Sequence, residues 1–318
     1  MVDIVQNKLI SIIIPVYKSS ESLIILNNQI KKLFNTLDYR YEIILVNDSP
    51  TEIKTNAALK KIKENDGYNH IKIIRMNQNK GQQYALLCGL LNVNGEYIIT
   101  MDDDLQHPVS EIPKLISTIE DKQVDLIFAN PNYKNKKHNL FRNIGSWLVN
   151  KIDDIFMPQK PDVMIGAFRI FKSNIIPSVL ELYSSYPSLS NMLIKASTEI
   201  INLEVKHKNR EFGKSNYTTK SLISLALDNL INYTSLPLAI LGIIGILTFI
   251  GSLIFIGIII IQKIFFSISM PGYASTVILI SFFGSLNLLG IGIIGEYLIR
   301  IIREQHKPKL ETLFYEGK

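Results

Sequence analysis

Three consecutive carboxylates, Asp102-Asp103-Asp104, are the densest chemistry in this 318-residue chain. They follow a short apolar run at 97–101 (YIITM) that reads as a buried strand. Alternate residues of an extended segment point the same way, so Asp102 and Asp104 share a face and Asp103 points elsewhere. Two convergent carboxylates are hard oxygen ligands suited to Mg2+ or Mn2+, ions typically shared with substrate phosphates. A lone Asp-x-Asp is explained as well by a solvated acidic turn; its place after a buried strand, and its neighbours at three further turns, favour the metal. Those turns are Pro15-Val16-Tyr17, Asn47-Asp48-Ser49 and Asn79-Lys80-Gly81. Asp48 can accept a hydrogen bond from a nucleobase edge, and a helix opening at Gly81 offers backbone amides to anionic groups. Arg169 and Arg210 are the candidates for phosphate, because guanidinium forks match phosphate oxygens. Lys206, Lys208 and Lys214 join Arg210 in a basic run, where solvated surface charge is the competing explanation, and Gly213 lets the backbone approach a ligand.

Bringing those turns together requires a sheet whose strands end on one rim. Strand-like and helix-like periods do alternate as far as residue 130. Strands are expected at 9–16, 41–46, 71–76, 97–101 and 125–129, with helices at 21–37, 52–63, 81–91 and 110–120. This alternation indicates an α/β fold with a mainly parallel sheet covered on both faces, and such sheets bind ligands at the carboxyl ends of their strands. Residues 131–215 are less regular: a basic polar loop at 132–142, a helix to about 156, and strands at 165–171 and 201–206.

Composition changes after residue 216. Hydrophobic residues make up 47% of the chain and charged residues only 19%, below the roughly 25% usual for soluble domains. No charge occurs at 236–261 or at 264–295. Two membrane helices are expected, at about 236–262 and 274–296, each long enough for the ~30 Å hydrocarbon core. Lys263 marks an interface and Pro271-Gly272 the turn between them. The helix-period segment 217–235 is expected as a juxtamembrane amphipathic helix, with an ordinary helix packed on the domain as the alternative. Arg300, Arg303, Lys307 and Lys309 in the 300–318 tail outweigh Lys263 in the connecting loop, so domain and tail are both expected on the cytoplasmic side. The polar start at 1–8 and the short apolar run after it do not make a secretory leader, so the chain is expected to begin there too. A polytopic transporter and a uniformly soluble enzyme are disfavoured, and the single cysteine, Cys88, excludes a disulfide scaffold. The net charge of +6 is too weak to argue for nucleic acid.

The ordered set resembles glycosyltransferase family 2, whose fold is the GT-A nucleotide-sugar domain. The residues that carry the resemblance are Ile14-Pro15-Val16-Tyr17, Val46-Asn47-Asp48, Asn79-Lys80-Gly81 with Ala85 and Gly89, and Met101-Asp102-Asp103-Asp104-Leu105-Gln106-His107-Pro108. Arg210-Glu211-Phe212-Gly213-Lys214-Ser215-Asn216-Tyr217 is similar to the Arg-x-x-Gly-x-Ser-x-Tyr segment of polyprenyl-phosphate sugar transferases, and Gly295-Glu296-Tyr297-Leu298-Ile299-Arg300 to the end of their second membrane helix. The resemblance implies transfer of a sugar from a nucleotide-diphosphate sugar (UDP-sugar first, GDP- or dTDP-sugar as alternatives) to a polyprenyl phosphate, for cell-envelope glycans. It implies that Asp48 holds the base, that Asp102 sits near ribose and diphosphate, and that Asp104 ligates the metal with Asp102. Pro15, Tyr17, Lys80, Gly81 and Asp103 complete the donor pocket, and Arg210, Lys214, Ser215 and Tyr217 meet the acceptor phosphate. The chain departs from the pattern at Gly166-Ala167-Phe168-Arg169, where many relatives have Gly-Asp-Phe-Arg, and Asp162 is a candidate substitute. Asn47 likewise softens an Asp-Asp pair.

The expected organisation is a cytoplasmic GT-A domain at 1–216, the 217–235 helix, membrane helices within 236–299 and a cytoplasmic tail at 300–318, placed in the inner (plasma) membrane. Gly290-x-Gly292-x-x-Gly295 mimics a dinucleotide fingerprint but lies inside an expected span, where small residues permit helix association and a homo-oligomer. Cys88 lies on an apolar helix face and reads as core. Of the histidines only His107 adjoins the carboxylates. Trp147 lacks the Gln-x-x-Arg-Trp context of processive synthases, which favours single transfer. Transfer to another lipid or glycan acceptor, and a non-catalytic membrane scaffold, are the alternatives.

Overall fold

The computed structural model describes residues 8–66, 70–131, 163–206 and 272–316, and singly Ile244, Leu247, Ile250, Gly251, Ile254 and Ile261. The chain divides into two compact units, one of Met1–Arg142, Gln159–Ser215 and Lys307–Lys318, the other of Asn143–Pro158 and Asn216–His306.

The first unit is built on an eight-stranded sheet. In chain order its elements are β1 (Leu9–Val16), α1 (Glu21–Phe34), β2 (Arg40–Asn47), α2 (Ile53–Asp66), β3 (Ile71–Met76), α3 (Gln82–Leu90), β4 (Tyr97–Thr100), α4 (Ile112–Lys122), β5 (Leu126–Asn130), β6 (Arg169–Lys172), α5 (Ile176–Glu181), α6 (Leu189–Ala196), β7 (Ile200–Glu204) and, from the chain's end, β8 (Phe314–Glu316). Across the sheet the order is β7-β5-β6-β4-β1-β2-β3-β8. Strands β1 to β4 run parallel, as do β5 and β7, whereas β6 is antiparallel to both neighbours and β8 to β3. The mainly parallel α/β architecture is therefore as expected.

β1 is apolar except at Ser11, whose hydroxyl donates to Glu42 Oε1, and its place in the sheet explains why. Ile10, Ile12, Ile14 and Val16 pack with Leu23, Leu26 and Ile30 of α1 and with Ile112, Leu115, Ile116 and Ile119 of α4. Ile13 points to the opposite face, among the α3 residues Ala85 to Leu90 and the α6 residues Leu189, Met192 and Leu193. A strand buried on both faces has no position for a polar side chain unless a partner waits for it. Gly89 marks the closest approach of α3 to that face: a Cβ there would meet Ile13 Cγ2 at 2.5 Å and Val46 Cγ2 at 3.3 Å.

Three expectations need correction. The strand expected at 165–171 forms only over Arg169–Lys172, and among the described residues the region read as irregular contains two helices, α5 and α6. The helical spacing of Leu189, Met192 and Leu193 was present in the sequence, but the run of eight residues is short for periodicity to detect. The 300–318 segment is not simply a tail either: its residues to Gln305 belong to a helix, and Phe314–Glu316 to the sheet.

In the second unit, α7 (Tyr273–Gln305) is 33 residues long and contains the whole expected second span, 274–296, running past it through Arg300 and Arg303. Leu279, Ile280, Phe282, Ile291 and Ile294 are exposed on it. Counting described side chains alone, no helix carries an apolar run long enough to cross a membrane. The expected first span, the 217–235 helix and the loop at 132–142 lie outside the described residues, save for the single helical positions between 244 and 261.

Candidate active site

Parallel register assembles the rim. Ile13 pairs with Thr100, the last residue of β4, and Val16 with Asn47, the last of β2. The segments following these strands therefore leave the sheet side by side. After Thr100 the chain turns, and Leu105 adopts a φ of 62°, a left-handed conformation that a branched side chain takes only under constraint from its surroundings. The turn is held from within: Asp104 Oδ1 accepts the Gln106 amide at 3.1 Å. Asp104 is buried and Asp102 partly exposed. Asp102 Oδ1 accepts the Gln82 side-chain amide at 2.7 Å, and its Oδ2 lies 4.0 Å from His107 Nε2. The His107 ring rests against Phe168, with centroids 5.1 Å apart.

Asp103 turns toward the end of β1, where the Ser19 side chain and the Tyr17 backbone hydrogen-bond it. Burial, more than the neighbouring charges of Asp102 and Asp104, pushes its carboxyl up to about 7. Asp48 is buried at the end of β2, and its carboxylate clamps the next loop: Oδ1 accepts the Lys80 amide and Oδ2 the Gly81 amide, both at 2.8 Å. Burial raises the Asp48 pKa, and those two amides work against the rise. Gly81 has φ of +91° with open space where a Cβ would stand, so the backbone conformation itself selects glycine there. Tyr17 is 43% exposed on the rim, with Lys18 Nζ 5.1 Å above its ring. Pro15 lies buried in β1, beside Val46.

Asn47 gains an explanation. Its side-chain oxygen accepts from the Ser49 amide at 2.9 Å, while its nitrogen donates to Asn56 Oδ1 at 3.0 Å. Asn56 in turn donates to the Pro50 carbonyl at 2.7 Å. An aspartate at 47 could accept but not donate, so the amide suits this turn.

Arg169 is not presented to solvent as a phosphate hook. It is 2% exposed; Nε donates to Thr100 Oγ1 at 2.9 Å and Nη1 to Ser190 Oγ at 2.6 Å. Its guanidinium lies 6.0 Å from the Phe128 ring. Burial lowers its pKa to about 10, and the charge of Asp102 opposes the fall. The physical reason is topological: β6 is inserted between β4 and β5, which encloses its side chains. Just before it, Gly166 lies so close to β5 that a Cβ would meet Asn130 Oδ1 at 2.6 Å. Asn130 donates to the Met164 carbonyl at 2.6 Å, and Thr100 to that of Ala167 at 2.8 Å.

The structure thus brings together Asp102, Asp103 and Asp104 with the Tyr17 backbone, and Asp48 with Lys80 and Gly81. Arg210, Lys208, Lys214, Ser215, Tyr217, Asp162 and Trp147 lie outside the described residues. Gln82, Ser19, Thr100 and Ser190 were missed by sequence reasoning. Gln82 alone carried a signal, since it opens α3 directly after Gly81. Among the described residues no group of three or more His, Cys, Asp or Glu is arranged to hold a metal; a cation at this rim would rest on Asp102 and Asp104, oxygen donors of the kind Mg2+ and Mn2+ take.

Comparison with known proteins places the arrangement. Glucosyl-3-phosphoglycerate synthase from Mycobacterium tuberculosis, in complex with uridine diphosphate, superimposes with a TM-score of 0.51 at 13% identity, over 72% of this chain and 79% of that one. At that identity the likeness shows the GT-A fold alone. Among curated relatives, the undecaprenyl-phosphate 4-deoxy-4-formamido-L-arabinose transferase of Yersinia pestis (strain Pestoides F) is 31% identical over 309 residues, covering 93% of this chain and 90% of its own length. The enzyme of the same name from Photorhabdus laumondii subsp. laumondii is 30% identical over 304 residues, covering 94% and 91%. The family model described as Glycosyl transferase family 2 matches residues 11–179, which include every rim turn described above, and the chain belongs to that family.

Proposed function

We propose that this protein is a membrane-anchored, metal-dependent, inverting glycosyltransferase that moves a sugar from a nucleoside-diphosphate sugar to a polyprenyl phosphate. The observation that carries the reading is the rim itself: Asp102 and Asp104 stand beside a loop whose Lys80 and Gly81 amides are gripped by Asp48. Similarity to undecaprenyl-phosphate sugar transferases along nearly the whole chain supports the acceptor class. The donor pocket is formed by Pro15, Tyr17, Asp48, Lys80, Gly81 and Asp103, and a UDP-sugar is the first candidate.

Asp102 and Asp104 would hold Mg2+ or Mn2+, and their hydrogen bonds from Gln82 and the Gln106 amide orient them for it. Such an ion supplies neutralisation of the diphosphate charge that grows as the sugar departs. The rest falls to the protein's own groups. Asp48 keeps the 79–81 loop in place, and the Arg169 guanidinium, enclosed behind the rim, sets a fixed positive charge near Asp102. The nucleophile is a phosphate already largely ionised at neutral pH, so no strong general base is needed. A single displacement inverts the anomeric carbon.

Arg210, Lys214, Ser215 and Tyr217 read the lipid phosphate at the membrane surface in this proposal, and the two spans at 236–262 and 274–296 anchor the domain to the cytoplasmic side of the inner membrane. The test is a screen of UDP-, GDP- and dTDP-sugars with undecaprenyl phosphate and Mn2+, reading lipid-linked product. Product with one donor, lost with chelator and in Asp104→Asn, is the expected result. No lipid-linked product with any donor, or full turnover of Asp104→Asn, overturns the reading.

A further inference from the structure

The segment after α7 returns to the first unit and ties itself down. Lys307 Nζ donates to the Tyr183 carbonyl at 2.8 Å and lies 5.2 Å over its ring, while the Tyr183 hydroxyl donates to the Pro308 carbonyl at 2.9 Å. Leu310 and Leu313 are buried in the cluster formed by α3. β8 then pairs with β3, setting Phe314 beside Met76. At the next residue of that side, Asn77, both nitrogen donors are engaged by this segment: the backbone amide donates to the Leu313 carbonyl and Nδ2 to the Thr312 carbonyl, each at 2.8 Å.

Asn77 is where the loop to Gly81 begins. That loop has no regular structure of its own. Its far end is held by the Asp48 carboxylate, and its near end by the chain's C-terminal segment. We infer that residues 307–316 are a positioning strap of the donor pocket, holding the start of the 77–81 loop so that Lys80 and Gly81 stand ready for the nucleoside diphosphate. Ordering a short loop in advance spares the ligand that entropy on binding, so releasing one end weakens affinity without touching the reacting atoms. Covering the β3 edge is a second consequence of the same strand. Edge protection alone gives no reason for Asn77 to engage two successive carbonyls beyond the ladder. The inference rests on the reading of this rim as the donor pocket.

The test uses full-length protein in detergent. UDP, GDP and dTDP are titrated calorimetrically with Mn2+ into the parent, and the one that binds is titrated into Asn77→Ala and into a variant ending at His306. For Asn77→Ala the expectation is about five- to tenfold weaker nucleotide binding, the effect of one lost hydrogen bond. Donor KM should rise to match, with kcat, lipid-phosphate KM and melting temperature close to the parent's. The shortened variant should lose nucleotide binding and regain it when a synthetic peptide of residues 307–318 is added; should it fail to fold, Asn77→Ala decides. A parent that binds its nucleotide while Asn77→Ala binds equally well, or loses kcat and stability instead, overturns the strap alone. A parent that binds none of the three overturns the donor-pocket reading, and the strap with it.

Discussion

Replacing Arg169 with methionine separates stability from function. A guanidinium that is 2% exposed and has no carboxylate within ion-pair distance among the described residues is costly to keep charged. Burial lowers its pKa from the ordinary guanidinium value to about 10, and at about 1.4 kcal/mol per unit the charge costs roughly 3 kcal/mol. The sign follows from the proton: the folded state holds it less tightly than the unfolded chain. The penalty is therefore complete below about pH 10 and fades as pH climbs above that value. Arg169→Met removes that penalty and gives up two hydrogen bonds from a charged donor, to Thr100 and Ser190, taken at about 1.5 kcal/mol each, the low end for charged groups. Thr100 keeps its bond to the Ala167 carbonyl. The two sides nearly cancel, and unfolding stability should stay within about 1 kcal/mol of the parent. Turnover should not. Loss of a fixed charge near Asp102, at an effective dielectric of ~20, removes on the order of 1–2 kcal/mol, about a tenfold fall in rate, and Arg169→Lys should recover part of it. Urea unfolding of the solubilised protein, read beside turnover with saturating substrates, is the assay. A methionine variant that loses several kcal/mol of stability would make Arg169 a structural residue. One with parental turnover would remove the charge from the mechanism.

Asp48→Asn should weaken nucleoside-diphosphate binding at least about tenfold, because one of the two loop amides would then face an amide instead of a carboxylate oxygen; parental affinity by calorimetry would refute the clamp. Gly166→Ala should lower stability by about 1–3 kcal/mol, since its Cβ would press on Asn130 Oδ1 and on the Ala129 carbonyl, and the added substitution Asn130→Ser should recover part of it in thermal unfolding. Cys88 is fully buried and its thiol is pushed up to about 12, chiefly by burial. At pH 8 a charged thiol reagent should label the folded protein negligibly and the unfolded protein stoichiometrically, as mass spectrometry would read directly.

How far the sequence reached depends on where each element finds its partners. β1 and the helix after it were legible because burial on both faces forces a run that is apolar but for Ser11, and the helix repeats its apolar positions at helical spacing. The turns on the rim were legible for the same reason: each follows a strand that could be read. Arg169 was not, because RIFK has no period to read and its neighbours β4 and β5 come from distant parts of the chain. Only the register that sets Thr100 beside Arg169 shows the guanidinium enclosed rather than displayed. β8, three residues long, was hidden in the same way. The carboxylate triplet shows a subtler gap. Its alternation was reasoned from a strand, yet β4 ends at Thr100, before the first aspartate. What directs Asp103 toward Ser19, Asp102 toward Gln82 and Asp104 back onto Gln106 is a turn with a left-handed leucine at its exit. A pleat would have fixed the directions of these side chains through sheet hydrogen bonds. A turn fixes them through the very side-chain bonds that the proposed metal and nucleotide would share, so Gln82 and Ser19 belong with the aspartates in any account of how this rim is set.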